Sequence, residues 1–255
     1  MKGFIAACSA LVMASSVSAQ DVLILGEIHD NPRHHDVQAD RVASFAPAAI
    51  VFEMLTSDQA GTVTPENRSD PAELAMVLDW TTSGWPDFAM YHPIFMAAPD
   101  ARIFGAQVPR NVARAAFETG IVQAFGGDAS VYGLADPLPE DEQQSREAMQ
   151  MAAHCDALPA DMLPGMVQIQ RLRDAELARA VVEAMAETGG PVAVITGNGH
   201  ARRDWGIPVY LEKAAPGLAL HVVGQTEDGA ALSGVFDEVV SAPSVDRPDP
   251  CAAFK

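Results

Sequence analysis

An apolar run ends at Gly26, and Glu27, His29, Asp30, His34 and His35 follow within nine positions. Carboxylates and imidazoles set this close can ligate a cation or move protons near neutral pH. Similar groups stand after other apolar runs. Glu53 closes "AAIVFE", Gln107 and Arg110 follow "ARIFGA", and Asn198 and His200 follow "VAVITG". Gly26, Gly197 and Gly199 flank these residues, and glycine lets a ligand or another backbone approach closely. Motifs that would direct the chemistry elsewhere are missing: there is no phosphate-binding loop, no dinucleotide fingerprint, no G-x-S-x-G elbow and no HExxH zinc helix.

The apolar runs themselves read as buried strands at 21–27, 48–55, 101–108, 190–200 and 218–225, with helices between them. The alternation predicts an α/β fold with a mostly parallel central sheet flanked by helices. Parallel strands place all their carboxyl ends on one edge, so the polar residues scattered along the chain meet there. Ligands of open α/β sheets bind outside that edge. "PRHHDVQADRVASF" reads as a helix, with Asn31 as N-cap and Pro32 at its first position. A long helix over 165–188 carries an apolar stripe at Leu177, Val181 and Ala184. The stripe becomes polar at Gln170, Arg173 and Asp174, so its start is expected to border a polar cavity. The segments 56–71, 81–99 and 135–164 are rich in Pro, Gly and polar residues, and read as loops or a small helical insert over the carboxyl edge.

The chain has 255 residues and a formal net charge of -18. That surface repels nucleic-acid phosphates and anionic lipid heads, leaving room only for local positive pockets. Met1–Ala19 has a basic start, an apolar stretch and the small-residue sequence "VSA", which predicts a signal peptide cut after Ala19 and an exported domain over 20–255. Cys8 lies early in the apolar stretch rather than at its end, so a lipid-anchored form is the alternative for this segment. No later apolar run is long enough to span a membrane. Cys155 and Cys251 remain after the cut, and an even count in an oxidising compartment predicts one disulfide.

"LGEIHDNPRHHDVQ", "SGWPDFAMYHPIF", "QVPR", "MVQIQRLRDAELA" and "GNGHARRDWGIP" resemble, in order, the blocks of the ChaN-like haem-binding uptake family. That family is itself similar to the Tiki/TraB proteases and the erythromycin esterases. Gln107 stands where the family more often has Asn, and Leu177 where it more often has Met. The resemblance implies an exported, periplasmic protein that binds haem for iron acquisition, with homodimerisation around haem in some members. Under this reading Tyr91, in the loop after Trp85-Pro86, is the first candidate for the axial position, with His34, His35 and His92 as alternatives. Trp80, Trp85, Phe88 and Phe95 would cover the porphyrin, and Arg110 and Arg173 would pair with its propionates. A competing reading gives Glu27, His29, Glu53 and His200 a divalent metal ion, or a direct acid–base role, in hydrolysis. An exported binding protein for some other ligand is the third.

Overall fold

The structure, a computed structural model, describes residues 20–249 and 251–252; the expected signal segment lies outside the described residues. Six strands form one sheet: β1 (Val22–Leu25), β2 (Ala49–Phe52), β3 (Arg102–Gly105), β4 (Val192–Ile195), β5 (Leu220–Glu227) and β6 (Glu238–Ala242). Their order is β3-β2-β4-β1-β5-β6, and every neighbouring pair is parallel.

The sequences VLIL, AIVF and VAVI form β1, β2 and β4, three of the four inner strands, and each is buried along its whole length. Their side chains alternate between two cores. Val22, Ile24, Val51, Val192 and Val194 pack toward the long helix Leu163–Thr188. Leu23, Leu25, Ile50, Phe52 and Ile195 face the other way, toward the helices Pro32–Phe45 and Phe88–Ala97. A sheet covered on both faces needs apolar residues at both parities, which explains the unbroken runs. Leu177, Val181 and Ala184 are fully buried, as their helical spacing predicts.

Most strands are shorter than their apolar runs, because the last residues of the runs leave the ladder and turn into the crevice. β6 was not expected: its sequence EVVSA is short and half exposed, as befits an edge strand without an apolar signal. The segments with loop-like composition fold largely as helices, including Ser57–Gly61, Pro65–Arg68, Phe88–Ala97 and Glu140–Ala153. Their turn-forming residues act as caps. Thr56, Thr64 and Asp87 each accept a backbone N–H of the following helix, and Pro65 occupies a first helical position. The expected Cys155–Cys251 disulfide is present, with a Cα separation of 5.5 Å. It ties the C-terminal tail to the corner before the long helix.

The strand order explains where a ligand would go. β1 connects over β4 to β2, whereas β4 connects over β1 to β5. Adjacent strands whose connections leave in opposite directions open a crevice at their carboxyl ends. Glu27 and His29 follow β1, Gly197 and His200 follow β4, and Glu53 follows β2 beside them.

Candidate functional site at the β1–β4 crevice

Close backbone approach builds the crevice floor. A Cβ on Gly26 would lie 2.5 Å from Asn198 Oδ1 and 3.1 Å from the Val223 carbonyl, so glycine is required there. Asn198 braces β5 by bonding both the N–H and the carbonyl of Gln225, at 2.9 and 2.8 Å. Gly197 approaches the site itself: an added Cβ would sit 3.0 Å from His29 Nε2 and 3.8 Å from Glu53 Oε2.

Two acid–imidazole groups meet across that glycine. In the first, Glu27 Oε1 accepts from His29 Nδ1 at 2.6 Å and from the Tyr91 hydroxyl at 2.8 Å. His29 Nε2 has no partner among the described residues and is not sealed from solvent. Burial alone would lower the His29 pKa, but the Glu27 hydrogen bond and the nearby Glu53 charge outweigh it and raise it to about 8. The His29 ring leans on Trp85, 4.9 Å between centroids.

In the second group, His200 Nδ1 binds Asp174 Oδ1 at 2.6 Å, and its Nε2 lies 3.5 Å from Glu53 Oε1. Glu53 Oε2 accepts from Thr196 Oγ1 at 2.7 Å and from the Gly197 N–H at 2.8 Å. Burial opposes charge on Glu53, but His200 and His29 hold its pKa below the ordinary value. Burial also opposes charge on His200, and the Glu53 and Asp174 carboxylates nonetheless raise its pKa. Asp174 is pushed up by burial, against the pull of His200. Two anions flanking one imidazole thus keep a proton on the buried line Asp174–His200–Glu53.

A polar cleft of about 190 Å³ opens beside this line, with Glu53, Trp85, Gln107, Arg110, Arg173 and Leu177 in its wall. A larger, more apolar cleft of about 450 Å³ lies between the helix Arg110–Thr119 and the start of the long helix. Arg114, Phe117, Met162, Met166, Ile169 and Arg173 line it. Arg173 belongs to both. Arg110, Arg114 and Arg173 have neither an ion pair nor a hydrogen bond to protein, unlike every other basic side chain among the described residues. Trp85 Nε1 is a buried donor with no partner among the described residues.

Several expected placements change. Tyr91 is not on a loop. It lies in the helix Phe88–Ala97, fully buried, and burial with the Glu27 charge pushes its phenol far above its ordinary pKa. Its hydroxyl donates inward to Glu27, so it offers no oxygen to either cleft. His34 and His35 are buried as well. His34 Nδ1 accepts from the Ile28 N–H, and His35 Nε2 donates to the His29 carbonyl. His92 is spent on the Arg68 carbonyl. Trp80, Phe88 and Phe95 pack in the core, and only Trp85 of the four aromatic candidates lines a cleft. Pro93 lies inside the helix instead of ending a loop.

Glu27, His29, Glu53 and His200 do gather at the crevice, but not as a cation cage. Among the described residues, no group of three or more His, Cys, Asp or Glu side chains is arranged to hold a metal ion. Glu27 is committed to Tyr91 and His29, and Glu53 to Thr196 and Gly197, which explains why the four do not converge on one point. Arg114 and the Phe117–Met162–Met166 wall were not singled out from sequence. An arginine and a phenylalanine on an amphipathic helix carry no mark of a cavity until the second helix is placed.

The fold is similar to that of a solved protein described as showing cofacial haem binding to ChaN of Campylobacter jejuni. The two share 20% identity over 85% of each chain, with a TM-score of 0.61. The type III effector HopBA1 aligns over 88% of each chain at 11% identity, with a TM-score of 0.47. No curated protein matches the sequence. No helix among the described residues is long and apolar enough to cross a membrane. The family described as haem-binding uptake, Tiki superfamily, ChaN matches residues 13–211, and on that match, with the all-parallel sheet and its crevice, the chain belongs to the ChaN family.

Proposed function

We propose that this chain binds haem and serves haem-iron uptake as an exported, periplasmic protein. The observation that carries the reading is the set of unpaired arginines. In a chain of net charge -18, cations normally find carboxylate partners, yet Arg110, Arg114 and Arg173 have none and all line the two clefts. A haem offers what these clefts lack: two carboxylates for the guanidiniums and a flat apolar body for Phe117, Met162 and Met166. It also carries an iron that needs an axial donor. His29 Nε2 is the donor that suits it, being accessible and unpartnered, with Nδ1 backed by Glu27. When bound, haem would supply the iron to be carried, and the protein's part is to hold and release it. Tyr91 is withdrawn from the axial role because its hydroxyl is buried.

Haemin titration tests the reading. Wild type is expected to bind saturably with a histidine-ligated spectrum, which His29→Ala loses. Each of Arg110→Ala, Arg114→Ala and Arg173→Ala is expected to weaken binding by about tenfold to a hundredfold, the worth of one charge-assisted hydrogen bond. No saturable binding by wild type overturns the proposal. Export rests on cleavage after Ala19, which the intact mass of the secreted protein checks. A homodimer around haem fits the cofacial binding described for the Campylobacter relative, and the mass of the loaded particle checks it.

The line Asp174–His200–Glu53 favours a second reading, acid–base hydrolysis in the polar cleft, in which Glu53 would activate water. Ester hydrolysis that Glu53→Gln abolishes, in a protein that fails to bind haem, would establish it.

A further inference from the structure

We propose that the polar cleft is a binding site in its own right for hydrogen phosphate, with Arg110 and Arg173 taking the anion's oxygens and Glu53 accepting its O–H. Haem propionates would meet the same arginines, so the two ligands exclude one another, but phosphate binding to the haem-free protein stands apart from the haem reading. Size is the first argument. The cleft encloses about 190 Å³, below the ~300 Å³ at which pockets for drug-sized molecules begin. A tetrahedral oxyanion fits that space, and a porphyrin macrocycle does not.

The wall supplies the charge. Arg110 and Arg173 reach the cleft from two different helices, and neither guanidinium has an ion pair or hydrogen bond to the described residues. Gly84 lets Arg110 settle there, since a Cβ on Gly84 would lie 3.0 Å from Arg110 Nη2. Gln107 adds a side-chain amide that is likewise without a protein partner. Pro109, the N-cap of the helix Arg110–Thr119, offers that helix no capping side chain. The positive end of the helix therefore stands beside Arg110 and favours an anion.

Glu53, the one acid in this wall, sets the selectivity. Its Oε2 is occupied by Thr196 Oγ1 and the Gly197 N–H. Its Oε1 receives no hydrogen bond, has His200 Nε2 at 3.5 Å, and is not sealed from solvent. A carboxylate oxygen accepts and cannot donate. Beside an oxyanion it repels, unless that oxyanion brings a proton of its own to share. Hydrogen phosphate does so, whereas sulfate, of the same shape and charge, has none to offer.

Calorimetric titration of the haem-free protein at fixed ionic strength tests the site. At about pH 8, inorganic phosphate, sulfate and methyl phosphate are all dianions, because a phosphomonoester loses its second proton near pH ~6, and only inorganic phosphate keeps an O–H. Wild type is expected to bind inorganic phosphate saturably, and to bind sulfate and methyl phosphate weaker by about tenfold or more. Arg110→Gln and Arg173→Gln should each weaken phosphate binding by about tenfold. Arg102→Gln, at the opposite edge of the sheet, should leave it unchanged. Glu53→Gln should lose the preference and take sulfate as readily as phosphate, since an amide N–H donates to either. No saturable phosphate binding overturns the proposal. So do equal affinities of wild type for the three dianions, a comparison that needs no variant, and phosphate binding that survives both arginine substitutions. Phosphate binding by a protein that takes up no haemin would defeat the haem reading alone, and haemin binding without phosphate binding would defeat this site alone.

Discussion

At the scale of single residues, the crevice is governed by carboxylates out of water. His29 shows the consequence. Its pKa of about 8 exceeds the ordinary value of 6.5, so folding favours its proton. A group raised in this way stabilises fully below pH 6.5, and its contribution is lost as the pH rises through about 8. We expect an NMR titration midpoint for His29 near 8 in the haem-free protein, falling in Glu27→Gln, and a denaturation midpoint that declines between those two pH values. Tyr91→Phe removes a buried hydrogen bond to a charged acceptor. It should cost about 1.5–3 kcal/mol of stability by urea unfolding. A loss much below 1 kcal/mol would mean that the hydroxyl contributes little to the fold.

At the scale of elements, the crevice depends on how closely turns can stack on strand ends. The turn after β1 sits against the turn after β4, and the Gly26–Asn198 contact sets their spacing. Gly26→Ala would force a methyl group to within 2.5 Å of Asn198 Oδ1 and 3.1 Å of a strand carbonyl. Overpacking of this kind costs about 1–3 kcal/mol. The strain would also shift His29 relative to Glu53, so we expect lower thermal stability together with weaker haem binding. Equal binding in a destabilised Gly26→Ala protein would show that the two turns move as one body. The long helix contributes differently. Its middle is a buried stripe, while its start places Arg173 in both clefts and Asp174 against His200. One helix thus supplies both core and charge.

At the scale of the whole molecule, the C-terminal tail acts as a strap along the carboxyl edge. Arg247 grips Asp30 at 2.9 Å, next to His29, and Glu227 at 2.7 Å, and Cys251 then bonds Cys155 across the fold. Removing the disulfide by Cys251→Ser frees a tail that otherwise closes a long loop. The entropic model allows a loss of about 4–5 kcal/mol, with typical native bridges nearer about 2–4 kcal/mol. Thermal unfolding of oxidised and reduced protein checks this, and identical transitions would show that the bridge constrains little. The Glu227–Arg247 pair has its own pH range. Arg247 holds Glu227 at a pKa of about 2, so its contribution is present above 4.5 and lost as the pH falls through about 2. Hydrogen exchange of the tail should therefore stay slow to pH 4.5 and rise below it. Because the pair is only half-buried, the effect should also shrink in high salt.

What the sequence by itself determined was everything carried by local pattern. Unbroken apolar runs required strands buried on both faces, and polar residues at their ends required a site on one edge, because parallel strands share direction. Leu177, Val181 and Ala184 announced the buried side of the long helix by spacing alone. Two cysteines left after the expected signal cleavage could be paired by elimination, and the motif blocks identified the ChaN resemblance. Only the tertiary structure decided what each polar residue faces. Tyr91 read as a ligand because it stands in an aromatic segment rich in proline, yet Asp87 in that segment proved to be a helix N-cap and Pro93 is accommodated inside the helix. Once that helix packs against the one carrying His35, the phenol points at Glu27 and not at a cleft. The unpaired state of Arg110, Arg114 and Arg173 was equally invisible. Ion pairing depends on contacts between residues far apart in the chain, and sequence order holds no record of them. The strand order decided the rest: by inserting β4 between β1 and β2, it placed Gly197 between His29 and Glu53 and His200 beside Glu53, a neighbourhood that no one-dimensional pattern encodes.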